Sequence, residues 1–173
     1  MGARLADVSL VNRWVPRISQ RLFFLAVKIL GLRRFAESPV LVIVEHPRPC
    51  YPFHALVIPK RAEADFLSFG ADRLPAFTEA LGRLMPRALA LSGLDSLALI
   101  VNGGMRQTFP LFHAHLISTD GLGDWDGTAR FETLDAALAS ARERVAARPL
   151  RGYSIQLLFA REKADILLRI RYD

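Results

Sequence analysis

Only one cysteine, Cys50, occurs among 173 residues, so no internal disulfide can staple the chain and no thiolate cluster can hold a structural zinc. That usage fits a reducing compartment, and a cytoplasmic protein is the expectation. No apolar run approaches the roughly 20 residues that a bilayer-spanning helix needs, because residues 22–30 are interrupted by Lys28. Arg33 and Arg34 stand where a secretory signal would place small residues, so a signal peptide is not expected. With 11 Gly and 10 Pro beside 51% hydrophobic and 23% charged residues, the composition excludes collagen-like and disordered chains. A chain of this length buries about 70% of the surface its unfolded form exposes, which predicts one domain with one core.

The net charge of +6 is not spread over a folded face. Residues 1–34 carry Arg4, Arg13, Arg17, Arg21, Lys28, Arg33 and Arg34 against Asp7 alone, so the rest of the chain is balanced. Outside that segment no basic stripe interleaves with aromatics, and nucleic-acid binding is not expected. Pro16 suits a first helical position and Gly31 the position past a helix end, which predicts a helix over residues 16–30. Ile18, Leu22, Leu25, Ala26 and Ile29 share one stripe of it, with Arg17, Gln20, Arg21 and Lys28 on the other side. Two readings follow: a helix docked on its own domain or a second subunit, or a surface helix drawn to anionic membrane. Segment 1–34 is therefore set apart from a domain at 35–173.

Within that domain, residues 40–45 and 54–59 are β-rich runs flanking a loop with Pro47, Pro49 and Pro52, which predicts neighbouring antiparallel strands. Leu74, Phe77, Leu81, Leu84, Ala88 and Leu91 recur at helical spacing and Gly93 follows, predicting a helix over 74–91. Residues 97–102 and 111–118 read as two more strands, 132–147 as a helix, and 153–160 with 165–172 as a hairpin. Strands around one long helix make an α+β fold with an antiparallel sheet.

Four histidines carry the chemistry. His113 and His115 are two apart on a predicted strand, so their rings share a face. His46 and His54 bracket the proline-rich loop. One reading of such residues is a three-imidazole metal site made of His54, His113 and His115 with an open position for water.

Taken in order, the blocks resemble the histidine-triad (HIT) superfamily of nucleotide hydrolases and transferases. The likeness runs over residues 40–118: a strand, a loop with Pro49, Pro52 and His54, the run His-Ala-Leu-Val-Ile-Pro-Lys, a long helix, a strand ending at Asn102, then Gln107, Thr108 and the histidine strand. It implies a HIT-like core at 40–118, with His113 as the nucleophile that forms a nucleotidyl-histidine intermediate. His115 and His54 would then face the phosphate, and Thr108 and Gln107 would donate hydrogen bonds to it or to the leaving group. Asn102 would contact phosphate or the nucleophile's loop, and Arg106 would offer a fork of donors to a polyphosphate. A backbone carbonyl is expected to fix the tautomer of His113. The first triad position is Leu111 rather than His, and His46 occupies the place of the acidic residue that commonly binds ribose. The resemblance implies a nucleotide or nucleoside-phosphate substrate, no metal or other cofactor, and a homodimer through the long helix and sheet. A non-catalytic nucleotide-binding or interaction member remains the alternative, motivated by Leu111 and His46.

Overall fold

In the computed structural model, residues 22, 25, 29, 31–107, 109, 111–120, 122, 128–148, 151–161 and 165–173 are described. Among them eight strands form one sheet: β1 (Arg34–Glu37), β2 (Leu41–Glu45), β3 (His54–Pro59), β4 (Ser96–Gly104), β5 (Ala114–Ser118), β6 (Ala129–Phe131), β7 (Gly152–Ala160) and β8 (Ile166–Tyr172). Two helices accompany them, α1 (Arg73–Ser92) and α2 (Leu134–Ala146). The spatial order is β1-β2-β3-β5-β4-β7-β8-β6, and every pairing is antiparallel. The α+β class expected from the sequence is what the chain adopts.

Alternation along the strands separates two faces of the sheet. Leu41 and Ile43 of β2, Ala55 and Val57 of β3, Leu97, Leu99 and Val101 of β4, and Ala114 and Leu116 of β5 join the helices in the main core. The opposite face holds Val42, Val44, Leu56 and Ile58 in one small cluster and Ala98, Ile100 and Ile117 in another. The histidines of β3 and β5 lie in phase with this second face, because His54 precedes Leu56 by two residues and His115 precedes Ile117 by two. The division keeps the imidazoles off the helix-packed core.

Helix α1 ends as expected at Gly93, whose φ of 70° is left-handed, a conformation that glycine takes without Cβ strain. Its buried stripe includes Leu74, Phe77, Leu81, Met85, Ala88 and Leu89, whereas Leu91, expected inside, is 42% exposed. Helix α2 begins at Thr133, whose hydroxyl accepts from the Ala136 N–H at 3.2 Å, satisfying one of the donors that a helix start leaves open. The C-terminal hairpin forms with Tyr153 opposite Tyr172. Strands β1 and β6 were not legible. They have four and three residues, too short for a period to register. β1 opens at Arg34, one residue before the expected start of the domain.

One strand is shorter than its sequence suggests. Residues 111–118 read as a single run, yet β5 starts at Ala114. The Phe112 N–H turns to the Glu63 carbonyl at 2.8 Å, so Phe112 bonds to the segment after β3 instead of continuing the ladder. The Phe112 ring anchors this departure. It packs edge-on against Phe69 and Phe77 with centroids 4.9 and 5.6 Å away, and it is buried.

Of the expected N-terminal helix, Leu22, Leu25 and Ile29 are described; they are helical and 59%, 51% and 74% exposed. At these positions the apolar stripe is not covered by the domain. Gly31 has φ 62°, in keeping with a helix end there. The remaining expected residues of that helix, Ile18 and Ala26 among them, lie outside the described residues. No helix among the described residues is long and apolar enough to cross a membrane.

Because Phe112 is buried among three other rings, Phe112→Ala should cost about 3 to 5 kcal/mol of stability. Chemical denaturation checks this, with a shifted midpoint and little change in slope as the expected result.

Candidate active site

The geometry begins with β3 pairing to β5. His54 stands opposite Ile117 and Leu56 opposite His115, so the two histidines are diagonal neighbours on one face. Diagonal pairs lie within reach of long or aromatic side chains, and His54 Nε2 meets His115 Nδ1 at 3.0 Å.

Backbone groups decide where the protons sit. The Cys50 N–H donates to His54 Nδ1 at 3.2 Å, so that nitrogen holds the lone pair and Nε2 carries the proton. His54 then donates to His115 Nδ1, which places the proton of neutral His115 on Nε2. At His113 the assignment is the reverse. Its Nδ1 lies 2.9 Å from the Leu111 carbonyl; a carbonyl can only accept, so Nδ1–H donates and in the neutral ring Nε2 holds the lone pair. The tautomer expected for a nucleophilic imidazole is the one this bond imposes. His46 resembles His54 in this respect, with Nδ1 accepting from the Arg48 N–H at 3.0 Å and the proton on Nε2.

The rings are grouped closely. His46 stacks on His54 at 3.9 Å between centroids and 14° between planes. His113 stands edge-on to His115 at 5.0 Å, and Phe109 lies edge-on to His113 at 6.2 Å. A cavity of about 240 Å³ opens beside them, lined by His46, His113 and His115 together with Leu56, Ile58, Pro59, Ala62, Glu63, Phe109, Leu111 and Phe112. Most of that wall is hydrocarbon.

Burial sets the charge state. Desolvation pulls His115 down to about 3, helped by the neighbouring His113, His54 and His46. It likewise pulls His54 to about 4, with His46 adding a smaller push, and it lowers His46. Near neutral pH these three rings are uncharged N–H donors. Glu63 is raised by its own burial, against the pull of Arg73, with which it forms an ion pair.

The other expected site residues sort differently. Asn102 lies on β4 opposite Ser154, two residues beyond Ile100 and so on the histidine face, but it does not line the cavity. Gln107 spends its amide hydrogens on the Ala64 and Phe109 carbonyls at 2.7 and 2.9 Å, tying the loop before His113 to the segment after β3. The fork of Arg106 closes on the carboxylate of Asp173 through Nε and Nη2. Thr108 lies outside the described residues. Gly104 belongs to the same turn, where its φ of 59° and the approach of the Arg151 carbonyl leave no room for a Cβ. Leu56, Ile58 and Phe109 were not singled out from the sequence. The first two could have been, since they follow His54 at steps of two.

No protein-family model matches the chain. A curated relative, protein pkiA of Dictyostelium discoideum, is 28% identical over 90 residues, covering 49% of this chain and 71% of that protein. Among solved structures, a HIT family hydrolase from Clostridium thermocellum is similar with a TM-score of 0.50 at 18% identity, over 59% of this chain and 93% of its own. A histidine triad protein from Clostridium difficile gives 0.49 at 18% identity, over 58% and 93%. The chain has the histidine-triad fold.

The depressed imidazoles carry a prediction about acid. A histidine near 4 in the fold and 6.5 when unfolded binds fewer protons folded than unfolded between those values, so stability rises with pH across that window and falls on acidification. Thermal melts from pH 7 to pH 4 should therefore show a declining melting temperature. The decline should be shallower in His54→Asn, and an equal slope in both proteins would contradict the assignment.

Proposed function

We propose that the protein is a nucleotidyl hydrolase or transferase acting on a nucleoside phosphoanhydride, phosphoramidate or ester through a nucleotidyl-histidine intermediate. The observation that carries this reading is the bond between His113 Nδ1 and the Leu111 carbonyl at 2.9 Å, on an imidazole that lines the cavity. In the neutral ring it places the proton on Nδ1 and leaves the lone pair on Nε2, the nitrogen free to attack. The solved neighbours with this fold include a HIT family hydrolase, which supports the class of reaction.

In the first step the Nε2 lone pair of His113 bonds to phosphorus while the bond to the leaving oxygen or nitrogen breaks. The departing atom takes that electron pair and gains a proton from solvent. In the second step water, or another acceptor, adds to phosphorus; the P–N bond breaks, its pair returns to Nε2 and the acceptor's proton is released. Dividing one displacement into two lowers the difficulty of each. His115, with Nε2–H left over after accepting from His54, supplies a donor for the negative oxygens. His54 works one step back, setting the orientation and tautomer of His115. Gln107 and Arg106 shape the loop that leads to His113, Gln107 with both amide hydrogens on backbone carbonyls and Arg106 with two of its donors on Asp173.

A metal-hydrolase reading has one geometric observation in its favour. Ring nitrogens of His46, His54 and His115 lie within 4.8 Å of one another, a different trio from the one expected from the sequence. The donor set does not fit a cation. A neutral imidazole has one in-plane lone pair, and His46 and His54 have already given theirs to the Arg48 and Cys50 N–H groups. The non-catalytic reading keeps the cavity as a binding site and expects ligand without turnover.

His113→Asn should abolish hydrolysis of a fluorogenic adenosine phosphoramidate or a diadenosine polyphosphate, by about a thousandfold or more, with the melting temperature little changed. Rates followed with and without a chelator separate the metal reading, which alone expects a loss. The second substitution concerns the missing triad position. Leu111 is 6% exposed, so Leu111→His buries an imidazole among hydrocarbon and should cost roughly 1 to 3 kcal/mol of stability without raising the rate. A faster enzyme with an unaltered melt would mean that the position is vacant for a histidine after all.

A further inference from the structure

A sugar's vicinal diol is held best by an acceptor, since both hydroxyls can give their protons to one carboxylate. The carboxylates near the cavity are engaged elsewhere. Glu63 lines it but is ion-paired with Arg73. Glu45, next to His46 in the chain, reaches the Arg33 backbone N–H at 3.4 Å. Position 46 itself presents the opposite chemistry. With Nδ1 held by the Arg48 N–H, the ring's remaining polar atom is Nε2–H, a donor. Stacking on His54 holds that ring against the group of imidazole nitrogens gathered within 4.8 Å. A donor in that company suits the oxygens of a phosphoryl group, while Leu56, Ile58 and Leu111 offer the organic part only hydrocarbon contact.

We propose that His46 is a phosphate-binding residue, so that the cavity selects an anionic phosphoryl group joined to an apolar group and does not read a vicinal diol. Ribose and 2′,3′-dideoxyribose substrates are then nearly equivalent. The proposal rests on the nucleotidyl-transfer reading for its substrates but not for its binding energetics, which allows the two to be tested apart.

Equilibrium binding to the full chain, by calorimetry, would compare AMP, 2′,3′-dideoxy-AMP and adenosine. The expected result is AMP and its dideoxy analogue within about threefold of each other, and adenosine weaker by at least about tenfold, because losing a hydrogen bond to a buried charged group has an effect of that order. His46→Phe keeps a ring to stack on His54 and removes the donor; it should weaken AMP at least about fivefold, and weaken it more than adenosine. His46→Asp should restore a preference for AMP over the dideoxy analogue of about tenfold or more. A wild-type preference for the ribose form of tenfold or more overturns the proposal, as does failure of both mononucleotides to bind, or an unchanged AMP affinity in His46→Phe. Equal binding of the two mononucleotides with no turnover of any phosphoramidate leaves the proposal standing and removes the catalytic reading instead.

Discussion

The register of β3 against β5 sets His54 opposite Ile117 and Leu56 opposite His115, and the distance at which the imidazoles meet follows from it. A slip of one residue would turn every side chain of one strand to the other face. His54 would then enter the helix-packed core and Ala55 would face the cavity. The register is protected by what lies on both sides. Ala55 and Val57 are buried beneath the helices, and Leu56 and Ile58 are buried in the smaller cluster, so a slip would expose or misplace apolar area whichever way it went. Hydrophobic packing thereby does the positioning, and the polar groups inherit their geometry from it.

Once the rings are placed, backbone amides and one carbonyl assign their protons. Three of the four histidines each have one ring nitrogen held by a main-chain group two or four residues away: Arg48 for His46, Cys50 for His54 and Leu111 for His113. These contacts are local in sequence, so they form with the loop itself and need no distant partner. His115 has no main-chain contact of this kind in the relay; it receives its tautomer from His54. Burial acts in the same direction at His54 and His115 by keeping those rings neutral, since a charged imidazole would lose the acceptor nitrogen through which His54 holds the Cys50 N–H and His115 meets His54.

Most of the sheet was legible because its strands are long enough to alternate: β2, β3, β4, β7 and β8 appear where apolar runs predicted them. The four histidines were legible as a set because the strand period and the proline-bounded loop put them in two pairs. What the chain did not disclose are contacts between distant positions. Arg106 meets Asp173 across 67 residues, and Gln107 meets the Ala64 carbonyl across 43. Such partners are chosen by the fold and leave no local pattern, so the resemblance that implied phosphate donors at both positions did not disclose them. The early end of the β5 ladder has the same origin, in a bond from the Phe112 N–H to the Glu63 carbonyl.

Leu111 is where side chain and backbone have to be considered apart. As a side chain it adds hydrocarbon to the cavity wall. As a backbone residue it accepts the His113 Nδ1–H, and that contact does not depend on which side chain is attached. The tautomer of His113 is therefore independent of the side chain at position 111. What that side chain sets is the wall around it. Leu111 and His46 shape that wall in a consistent sense, since one offers only hydrocarbon beside His113 and the other offers an N–H donor. Apart from Glu63, the polar character of the cavity lies on the imidazole N–H groups, and Leu56, Ile58, Phe109, Leu111 and Phe112 make the rest of it apolar. Under the phosphate-binding proposal, a cavity so divided discriminates by the charge at one end of its ligand and by the desolvation of the other.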